Sequence, residues 1–473
     1  MVPAAVDLAP LDPPRPASPP PGLNRLDPAL LGCLALLAWL VAARVNLYPH
    51  IRYSDIPVYE QMTTRMAGGA VPYRDFDVEY PPLAVALVWV ADRLPGSLAG
   101  GFSLLMLAAS WLAAVGGAAA AAALGLERRR LVVGGVLALL PVLLGDLVQT
   151  RFDLAVTACL AWLLWAAASG RWTLAWTLLA GAAALKLVPV VLVPLLFLAH
   201  ARHQDRLAGT RAALAGLAGA AATFVPFAAV APAGVWRIFS YHLRRPLQLE
   251  SVGANLLLIA RWFDDRSLQV ETSFGSQNLI GPGAGAVPVV CSLLALAGIV
   301  AVLARCRREM ADGGREPVEV FVSGSAAVLS LALVFGKVLS PQYLLWIVPV
   351  TLVVSGRRGR AACALAVAAL AATQLYFPAR YPGLRALDPG PVLLLTVRNC
   401  LLIALAACAW TALRSPDAER SKAQARAPVP SRSPASAVSS GGTGEGTLAG
   451  AGTGFPDPPV SGRRSERDGH GNG

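Results

Sequence analysis

The sequence predicts an all-α polytopic membrane protein, a bundle of about twelve transmembrane helices. Hydrophobic residues make up 55% of its 473 residues and charged residues only 14%, whereas soluble proteins carry about a quarter charged residues. The apolar residues gather in recurring blocks of roughly 15 to 25 residues, the length that a helix needs to cross a bilayer. Arginine clusters occupy the short loops between these blocks, which is typical of cytoplasmic loops.

Twelve apolar blocks are predicted to span the membrane. The block at 173–200 decides the number, because a single span there would place Lys186 near the bilayer centre, at a cost of about 2.5–3.5 kcal/mol. A hairpin that turns at Leu185-Lys186 avoids this cost and leaves the arginine-rich loops on one side of the membrane. The predicted spans are 29–48, 100–124, 131–147, 153–169, 173–185, 187–200, 210–231, 286–304, 318–336, 341–356, 361–377 and 390–413.

The charge distribution predicts the topology. The net charge of +12 comes largely from loop clusters such as "ERRR" at 127–130 and "GRRGR" at 356–360, a pattern that indicates cytoplasmic loops and predicts no nucleic-acid partner. The low-complexity tails, 1–28 and 414–473, are expected to be disordered and cytoplasmic, and the domain at 29–413 to lie in the plasma membrane. The seven cysteines lie in or beside apolar blocks, so no disulfide framework, metal site or other cofactor is predicted.

Two long loops, 49–99 and 232–285, face outward in this topology. In the first, Pro57 through Ala67 predicts a short helix, with Asp55 at or next to its N-cap and Tyr59 on about the same face. The sequence "VPYRDFDVEYPP" that follows predicts an extended stretch, since residues before proline avoid the α region. "LAVALVWVADRLPG" then predicts an interfacial or re-entrant helix, because its apolar run is too short to span.

Asp55 has two interpretations from the local sequence. A carboxylate at a membrane surface can take the proton from an attacking hydroxyl group while that hydroxyl displaces a leaving group. Local sequence alone favours the simpler role of helix capping, although one carboxylate can do both. "DFD" at 75–77 has the DxD pattern of nucleotide-sugar enzymes, but a lone DxD is weak evidence and this loop faces away from the cytoplasmic nucleotide pool.

The segment "SDIPVYEQ…GGAVPYRDFDVEYPPLA" resembles the first extracytoplasmic loop of glycosyltransferase family 87, the GT-C-fold enzymes that use polyprenyl-phosphate sugars. The resemblance covers roughly residues 45–412 and continues in "QTRFD", "ALKLVPVVLVPLL", "HLRRPLQLES" and "LSPQYLLWIVP". It implies that Asp55 is the catalytic base, that the donor is a lipid-linked sugar and that catalysis needs no nucleotide. Substrate contacts are expected from Tyr59, Tyr73, Glu79, Tyr80 and Asp153.

Basic residues of the outward loops suit a phosphate leaving group. Expelling polyprenyl phosphate leaves an anion, which preorganised cations stabilise. Lys186 and Lys337 could instead reach lipid headgroups, and Arg151 could pair with Asp153. The candidates are Arg151, Lys186, Arg244, Arg245 and Lys337, with His242 and Glu250 in the same loop as the arginine pair.

Three further groups have open alternatives. Arg398 lies eight residues into the last span, where it either pairs inside the bundle or lines the donor cavity; an intramembrane charge favours the functional alternative. Gln342 and Tyr343 could bind sugar hydroxyls, or the preceding Ser340-Pro341 could simply start a helix. Most of the tryptophans near predicted interfaces are expected to be aromatic-belt residues; these are Trp89, Trp236, Trp262 and Trp346.

The predicted function is that of a membrane glycosyltransferase of the cell envelope. It would move a hexose, mannose by resemblance, from a polyprenyl-phosphate donor to a hydroxyl of a glycolipid or glycan acceptor on the extracytoplasmic face. The alternative is a polytopic transporter or flippase for lipids or sugars. Against that alternative stand the missing internal repeat, which many transporters have, and the concentration of carboxylates in one outer loop.

Overall fold

The computed structural model describes residues 23–44, 53–203, 206–264 and 267–414. Residues 1–22 and 415–473 of the predicted tails lie outside the described residues, so the disorder and cytoplasmic location of the tails stay predictions. The first helix begins at Asp27, two residues earlier than the predicted start of the membrane domain.

Helices lie at all twelve predicted spans, which confirms the all-α polytopic fold class. Seven of them are long and apolar enough to cross a membrane on their own, and four shorter apolar helices accompany them. The only strands among the described residues form one antiparallel hairpin, β1 (Gln269–Ser273) and β2 (Ser276–Ile280). The α-helices are α1 (Asp27–Arg44), α2 (Ile56–Ala67), α3 (Pro82–Arg93), α4 (Leu98–Ala123), α5 (Arg130–Ala138), α6 (Leu140–Leu144), α7 (Asp146–Thr150), α8 (Asp153–Ala168), α9 (Trp172–Leu185), α10 (Val193–His203), α11 (Arg206–Val230), α12 (Pro232–Arg244), α13 (Val252–Ala260), α14 (Ala286–Asp312), α15 (Pro317–Val334), α16 (Leu344–Leu352), α17 (Gly356–Tyr376), α18 (Tyr381–Arg385) and α19 (Pro389–Ala412).

The predicted span at 131–147 is not one continuous helix. The region folds as the three short helices α5, α6 and α7. Pro141 lies in the first turn of α6, and Gly145 ends that helix with a φ of 58°. Proline removes a helical hydrogen bond, and glycine readily adopts the positive φ that stops a helix, so both residues favour breaks here.

The break predicted at Leu185-Lys186 is confirmed. Helix α9 ends at Leu185, and Lys186 adopts an extended backbone with φ −154° and ψ 134°. A 3-10 turn at Val188–Leu192 then leads into α10. The lysine therefore lies at a helix end and not in the middle of a long apolar helix.

Small residues allow the central helices to approach closely. Between Ala113 and Ala122, every residue of α4 is alanine, valine or glycine and is buried. A Cβ atom at Gly116 would lie 2.9 Å from the Trp162 ring of α8, and one at Gly117 would overlap Leu137 of α5. Small side chains at helix contacts are the usual way that membrane helices gain packing energy, because lipid offers no hydrophobic drive between them.

Helices α11 and α14 lie at the edge of this bundle. Only 11% of the most apolar window of each helix is buried inside the protein, compared with 72% for α15. Their hydropathy suits contact with lipid.

Candidate active site

Asp55 occupies the N-cap position of helix α2, but the Asp55 carboxylate does not cap the helix. The hydroxyl of Ser54 accepts the hydrogen bond from the backbone amide of Ile56 at 3.1 Å, and Asp55 makes no side-chain capping bond. Its Oδ1 atom instead lies 3.1 Å from Nη2 of Arg151. The capping interpretation is therefore wrong for this side chain, which points toward the turn between α7 and α8.

Arg151 and Asp153 do not pair with each other, contrary to the alternative raised from the sequence. Arg151 extends from the end of α7 toward Asp55, whereas Asp153 begins α8 and accepts from Nζ of Lys186 at 2.7 Å. The indole Nε1 of Trp346 donates to the same Asp153 oxygen at 2.8 Å. Asp153 is thus buried between two protein donors and holds Lys186 at the end of α9.

Lys186 is surrounded by aromatic rings as well as paired with Asp153. Its ammonium nitrogen lies 5.1, 5.2 and 5.0 Å from the ring centroids of Phe152, Tyr343 and Trp346, and the last two rings stack at 4.1 Å. Cation–π contacts at these distances attract the ammonium to the ring faces. The lysine is therefore fixed in place, with 19% of its side chain still exposed.

The pKa of Asp55 is raised from its ordinary value. Burial is the main cause, because it disfavours the charged form, and Arg151 and Lys186 only partly offset it. Glu79 and Asp153 raise the pKa further through charge repulsion. With about a quarter of its side chain exposed, Asp55 has the properties of an accessible general base whose proton affinity is higher than usual.

Tyr59 lies on the same face of α2, as predicted, and it is fully buried. Its ring is packed among Tyr80, Phe102 and Phe152, and burial raises its pKa well above the ordinary value. Its hydroxyl has no hydrogen-bond partner among the described residues. Unpaired buried hydroxyls are uncommon, so Tyr59 offers a neutral donor beside the Asp55 carboxylate.

Tyr73 and Tyr80 shape the loop that follows α2. The Tyr73 hydroxyl donates to the backbone carbonyl of Tyr80 at 2.7 Å, and Tyr73 has a φ of 68°, a conformation rare for residues with a side chain. The two carboxylates of "DFD" bind different arginines: Asp75 pairs with Arg74 at 2.8 Å and Asp77 with Arg237 at 2.8 Å. The DxD resemblance is therefore local, since the two groups do not act together.

A cavity of about 430 Å³ lies beside this loop. Glu79 reaches it from the loop, and Tyr241 of α12 lines it as well. Burial raises the pKa of Tyr241, and the nearby Glu79 carboxylate raises it further. Burial and the nearby Arg245 lower the pKa of His242, and Glu79 partly opposes this shift. The polar lining consists of Gln61, Arg65, Asp77, Glu79, Tyr80, Arg237, Tyr241 and Arg244.

Helix α12 is held against the Tyr73 loop by close backbone contact. A Cβ atom at Gly234 would overlap the backbone carbonyl of Tyr73. We expect Gly234→Ala to lower the free energy of unfolding by about 1–3 kcal/mol, the usual cost of overpacking. The matched control is Gly219→Ala in α11, where nothing lies within 4 Å. Thermal unfolding in detergent compares the two variants, and equal stabilities would show that this contact is relaxed in solution.

The remaining predicted cations have mixed positions. Arg244 lines the cavity and bonds only Ser240 of its own helix among the described residues. Arg245 is half-buried, with its Nε unpaired and its guanidinium 5.8 Å from the Tyr241 ring centroid. Lys337 donates to the Leu243 carbonyl at 2.6 Å, so it links the end of α12 to the loop after α15; the prediction that it contacts the substrate stays a prediction.

Arg398 lies in a second polar network, where it is hydrogen-bonded to other residues inside the bundle. It is completely buried and donates to the Glu250 carbonyl and the Tyr376 hydroxyl, both at 3.0 Å. Tyr376 and Tyr381 in turn donate to the Glu250 carboxylate at 2.9 and 3.3 Å. Burial raises the pKa of Glu250 to about 7 against the pull of Arg398. Its Nε and Nη1 atoms are buried without a partner among the described residues, and the prediction that Arg398 contacts the donor stays a prediction.

The SPQY segment and the Glu250 loop meet at Gln248. Gln248 accepts from the backbone amide of Leu339 at 2.6 Å and donates to Ser340 at 3.0 Å. Gln342 follows in a 3-10 turn and is buried with an unpaired Oε1 atom, so it keeps an acceptor that neighbouring described residues do not use. The prediction that Gln342 binds substrate stays a prediction.

Three site residues were missed or misplaced by the sequence interpretation. Trp346 was expected in an aromatic belt but is 2% exposed and bonded to Asp153; Trp89, Trp236 and Trp262 are indeed exposed. Arg237 and Tyr241 were not singled out. A signal was available for both, because they lie four residues apart on the polar face of a short amphipathic helix.

Comparison with known proteins identifies the family of this chain. No curated protein matches the chain. A crystal structure of ArnT from Cupriavidus metallidurans bound to undecaprenyl phosphate aligns with 83% of this chain and 79% of its own, at 16% identity and a TM-score of 0.39; this similarity is too low to support an argument. The profile of glycosyltransferase family 87 matches residues 79–341, more than half of the sequence. The chain therefore belongs to glycosyltransferase family 87 and is a membrane glycosyltransferase.

Proposed function

We propose that the protein transfers a hexose, in the first place mannose, from a polyprenyl-phosphate donor to a hydroxyl of a glycolipid or glycan acceptor on the extracytoplasmic face. The observation that carries this proposal is the Asp55 carboxylate, which lies 3.1 Å from Arg151 and within the electrostatic influence of Lys186. A base beside two cations suits a reaction in which one group loses a proton and another leaves as an anion. Asp55 lies before the residues matched by the family profile, so its role rests on these contacts and on the resemblance of its loop.

In the proposed reaction, Asp55 takes the proton of the acceptor hydroxyl. The acceptor oxygen forms a bond with the anomeric carbon as the bond from that carbon to the phosphate oxygen breaks. The bonding electrons leave with the polyprenyl phosphate, and attack opposite the phosphate inverts the anomeric configuration. No oxidant or further reactant is needed.

Arg151 and Lys186 are proposed to hold the departing phosphate. The Nη2 atom of Arg151 pairs with Asp55, while its Nε atom is buried and unpaired among the described residues. Lys186 has two further ammonium protons besides the one shared with Asp153. Because Asp153 and the aromatic rings fix Lys186 before the reaction, little reorganisation is required as charge develops on the phosphate.

The cavity beside Glu79 is proposed to receive the acceptor. Its volume of about 430 Å³ falls in the range typical of small-molecule sites. Helix α12 exposes Trp236 and Leu243, at 63% and 71%, and carries Arg237 and Tyr241 toward the cavity. An amphipathic helix of this kind lies in a membrane interface, which would place the cavity at the level of lipid-linked sugars.

Transfer by purified protein tests the function directly. The protein in lipid bilayers is given polyprenyl-phosphate mannose, and polyprenyl-phosphate glucose in a parallel reaction, with a cell-envelope lipid extract as acceptor. Transfer of labelled mannose at a rate well above that of glucose supports the proposal. Transfer of glucose alone would replace mannose as the sugar, and transfer from nucleotide sugars but not from lipid-linked sugars would overturn the donor class.

Transfer is expected to depend on pH through Asp55. The base must be deprotonated, so kcat/KM is high above the pKa of Asp55 and falls about tenfold per pH unit below it. Since the pKa is raised above the ordinary 3.8, the fall begins at a higher pH than an unperturbed aspartate would give. A pH profile of kcat/KM checks this, with unfolding measured at each pH as control. A profile that stays flat down to about pH 3.9 contradicts a base with a raised pKa.

A further inference from the structure

A second groove lies between α10, α11 and α14, away from the site around Asp55. Its volume is about 800 Å³, and its walls are mainly apolar, formed by Phe197, Leu214, Leu217 and Leu303 among others. Arg307 and Arg308 line the same groove and lie near the end of α14. The groove therefore combines a long apolar wall with cationic groups near one end.

The course of α9 separates the two sites. Trp176 lines the groove near the start of this helix, whereas Lys186 follows its last residue and belongs to the Asp55 site. Ten residues of helix correspond to about 15 Å along its axis. The groove therefore lies toward the opposite end of the bundle and is not an extension of the donor site.

The two arginines of the groove, Arg307 and Arg308, are not bonded to other described residues. Arg305, on the same helix, pairs with Glu309. Arg307 and Arg308 are exposed, and neither forms an ion pair or hydrogen bond within the described part of the chain. Arginine guanidinium groups bind phosphate in bidentate geometry, so these two side chains provide an anion site at the groove.

The surroundings of the groove match lipid better than protein or water. Helices α11 and α14 are apolar and only 11% buried in their most apolar windows, and Leu214 and Val300 of the groove are 60% and 56% exposed. Basic pockets between transmembrane helices are known binding sites for anionic headgroups. A long apolar wall beside a cationic end has the shape and charge of a site for one phospholipid molecule.

We propose that this groove binds a glycerophospholipid with an anionic headgroup. An acyl chain lies along the wall formed by Phe197, Leu214 and Leu303, and the phosphate contacts Arg307 and Arg308. The site is separate from the sugar-transfer site, so binding there can be measured without any transfer assay.

The test uses the delipidated full-length protein and native mass spectrometry with phosphatidylglycerol or phosphatidylcholine. Wild type is expected to retain phosphatidylglycerol over phosphatidylcholine. The double variant Arg307→Gln/Arg308→Gln should lower phosphatidylglycerol binding by about tenfold or more, given the attraction of two arginines for an anionic lipid. The matched control is Arg357→Gln/Arg360→Gln, which removes two exposed arginines of α17 outside the groove and should leave binding unchanged.

A second variant tests the apolar part independently. Ala304 lines the groove, and Ala304→Phe should obstruct the chain and lower the binding of both lipids while leaving both arginines in place. Equal retention of the two lipids by wild type would overturn the proposal, as would equal losses in the two double-arginine variants. Displacement of phosphatidylglycerol by inorganic phosphate at comparable concentration would show a site for free phosphate and would also overturn it.

Discussion

Replacing Asp55 with Asn is expected to abolish sugar transfer and to leave the protein folded. An asparagine side chain has nearly the same size and can still accept from Arg151 through its amide oxygen, but it cannot take a proton at neutral pH. Loss of a general base typically lowers the rate by about 10²–10⁴-fold. The measurement is kcat for mannose transfer from polyprenyl-phosphate mannose, with thermal unfolding of each variant alongside.

The matched control for Asp55→Asn is Asp75→Asn. Asp75 belongs to the same loop, but its carboxylate is exposed and bound to Arg74, so transfer should stay near the wild-type rate. Near wild-type transfer by Asp55→Asn would exclude Asp55 as the base. Equal losses in both variants would instead indicate that the whole loop tolerates no change of charge.

Replacing Asp153 with Ala is expected to cause the largest loss of stability of any single change at the site. The carboxylate is buried and accepts from both Lys186 and Trp346. Removing one member of a buried ion pair leaves the other uncompensated and typically costs about 3–5 kcal/mol. Thermal unfolding should show this loss, and transfer should fall as well because Lys186 is no longer held in place.

Asp77→Ala is the control for this second prediction. It removes the carboxylate of another ion pair, at a similar distance from its partner Arg237, but the two side chains are 76% and 47% exposed. Exposed pairs typically contribute about 0–1 kcal/mol, so Asp77→Ala should change stability little. If the two variants lose the same amount of stability, Asp153 is not the buried partner that its position indicates.

Local sequence predicted much of the site's framework. The start of α2 and the short helix at Pro82–Arg93 follow from proline placement and the length of apolar runs, which act over a few residues. The break after Leu185 follows from the cost of placing Lys186 in the membrane and from the positions of the arginine-rich loops. The helix break at Pro141 also has local causes, but it was not predicted. The spans were read from the hydrophobicity of each block, which does not depend on where the helix within the block is broken.

Pairings between distant residues could not be predicted in the same way. Arg151 had a carboxylate two residues away in Asp153, yet it pairs with Asp55, nearly a hundred residues earlier in the chain. Trp346 has the sequence position of an interfacial tryptophan, yet its Nε1 donates a hydrogen bond to the buried Asp153. In each case the partner is decided by which helix ends meet, and sequence spacing contains no information on that.

Arg398 illustrates the same limit at the other end of the chain. Its charge within the last span marked it as unusual, and of the two alternatives, internal pairing or a donor cavity, the intramembrane charge favoured the cavity. The structure brings α17, α19 and the loop around Glu250 together, and the arginine is used there. Its place in that network depends on three segments that are far apart in sequence.

The sequence by itself determined that this protein is a polytopic helical membrane protein of family 87 type, and it predicted that the loop with Asp55 faces outward. Hydrophobic length and charge distribution are properties of the chain, so no tertiary information was needed for them. Only the tertiary structure decided that the Asp55 carboxylate faces Arg151 and not its own helix terminus. At that terminus the Ser54 hydroxyl accepts the hydrogen bond from the Ile56 amide. The Asp55 carboxylate is buried against the α7–α8 turn, where Arg151 lies beside it.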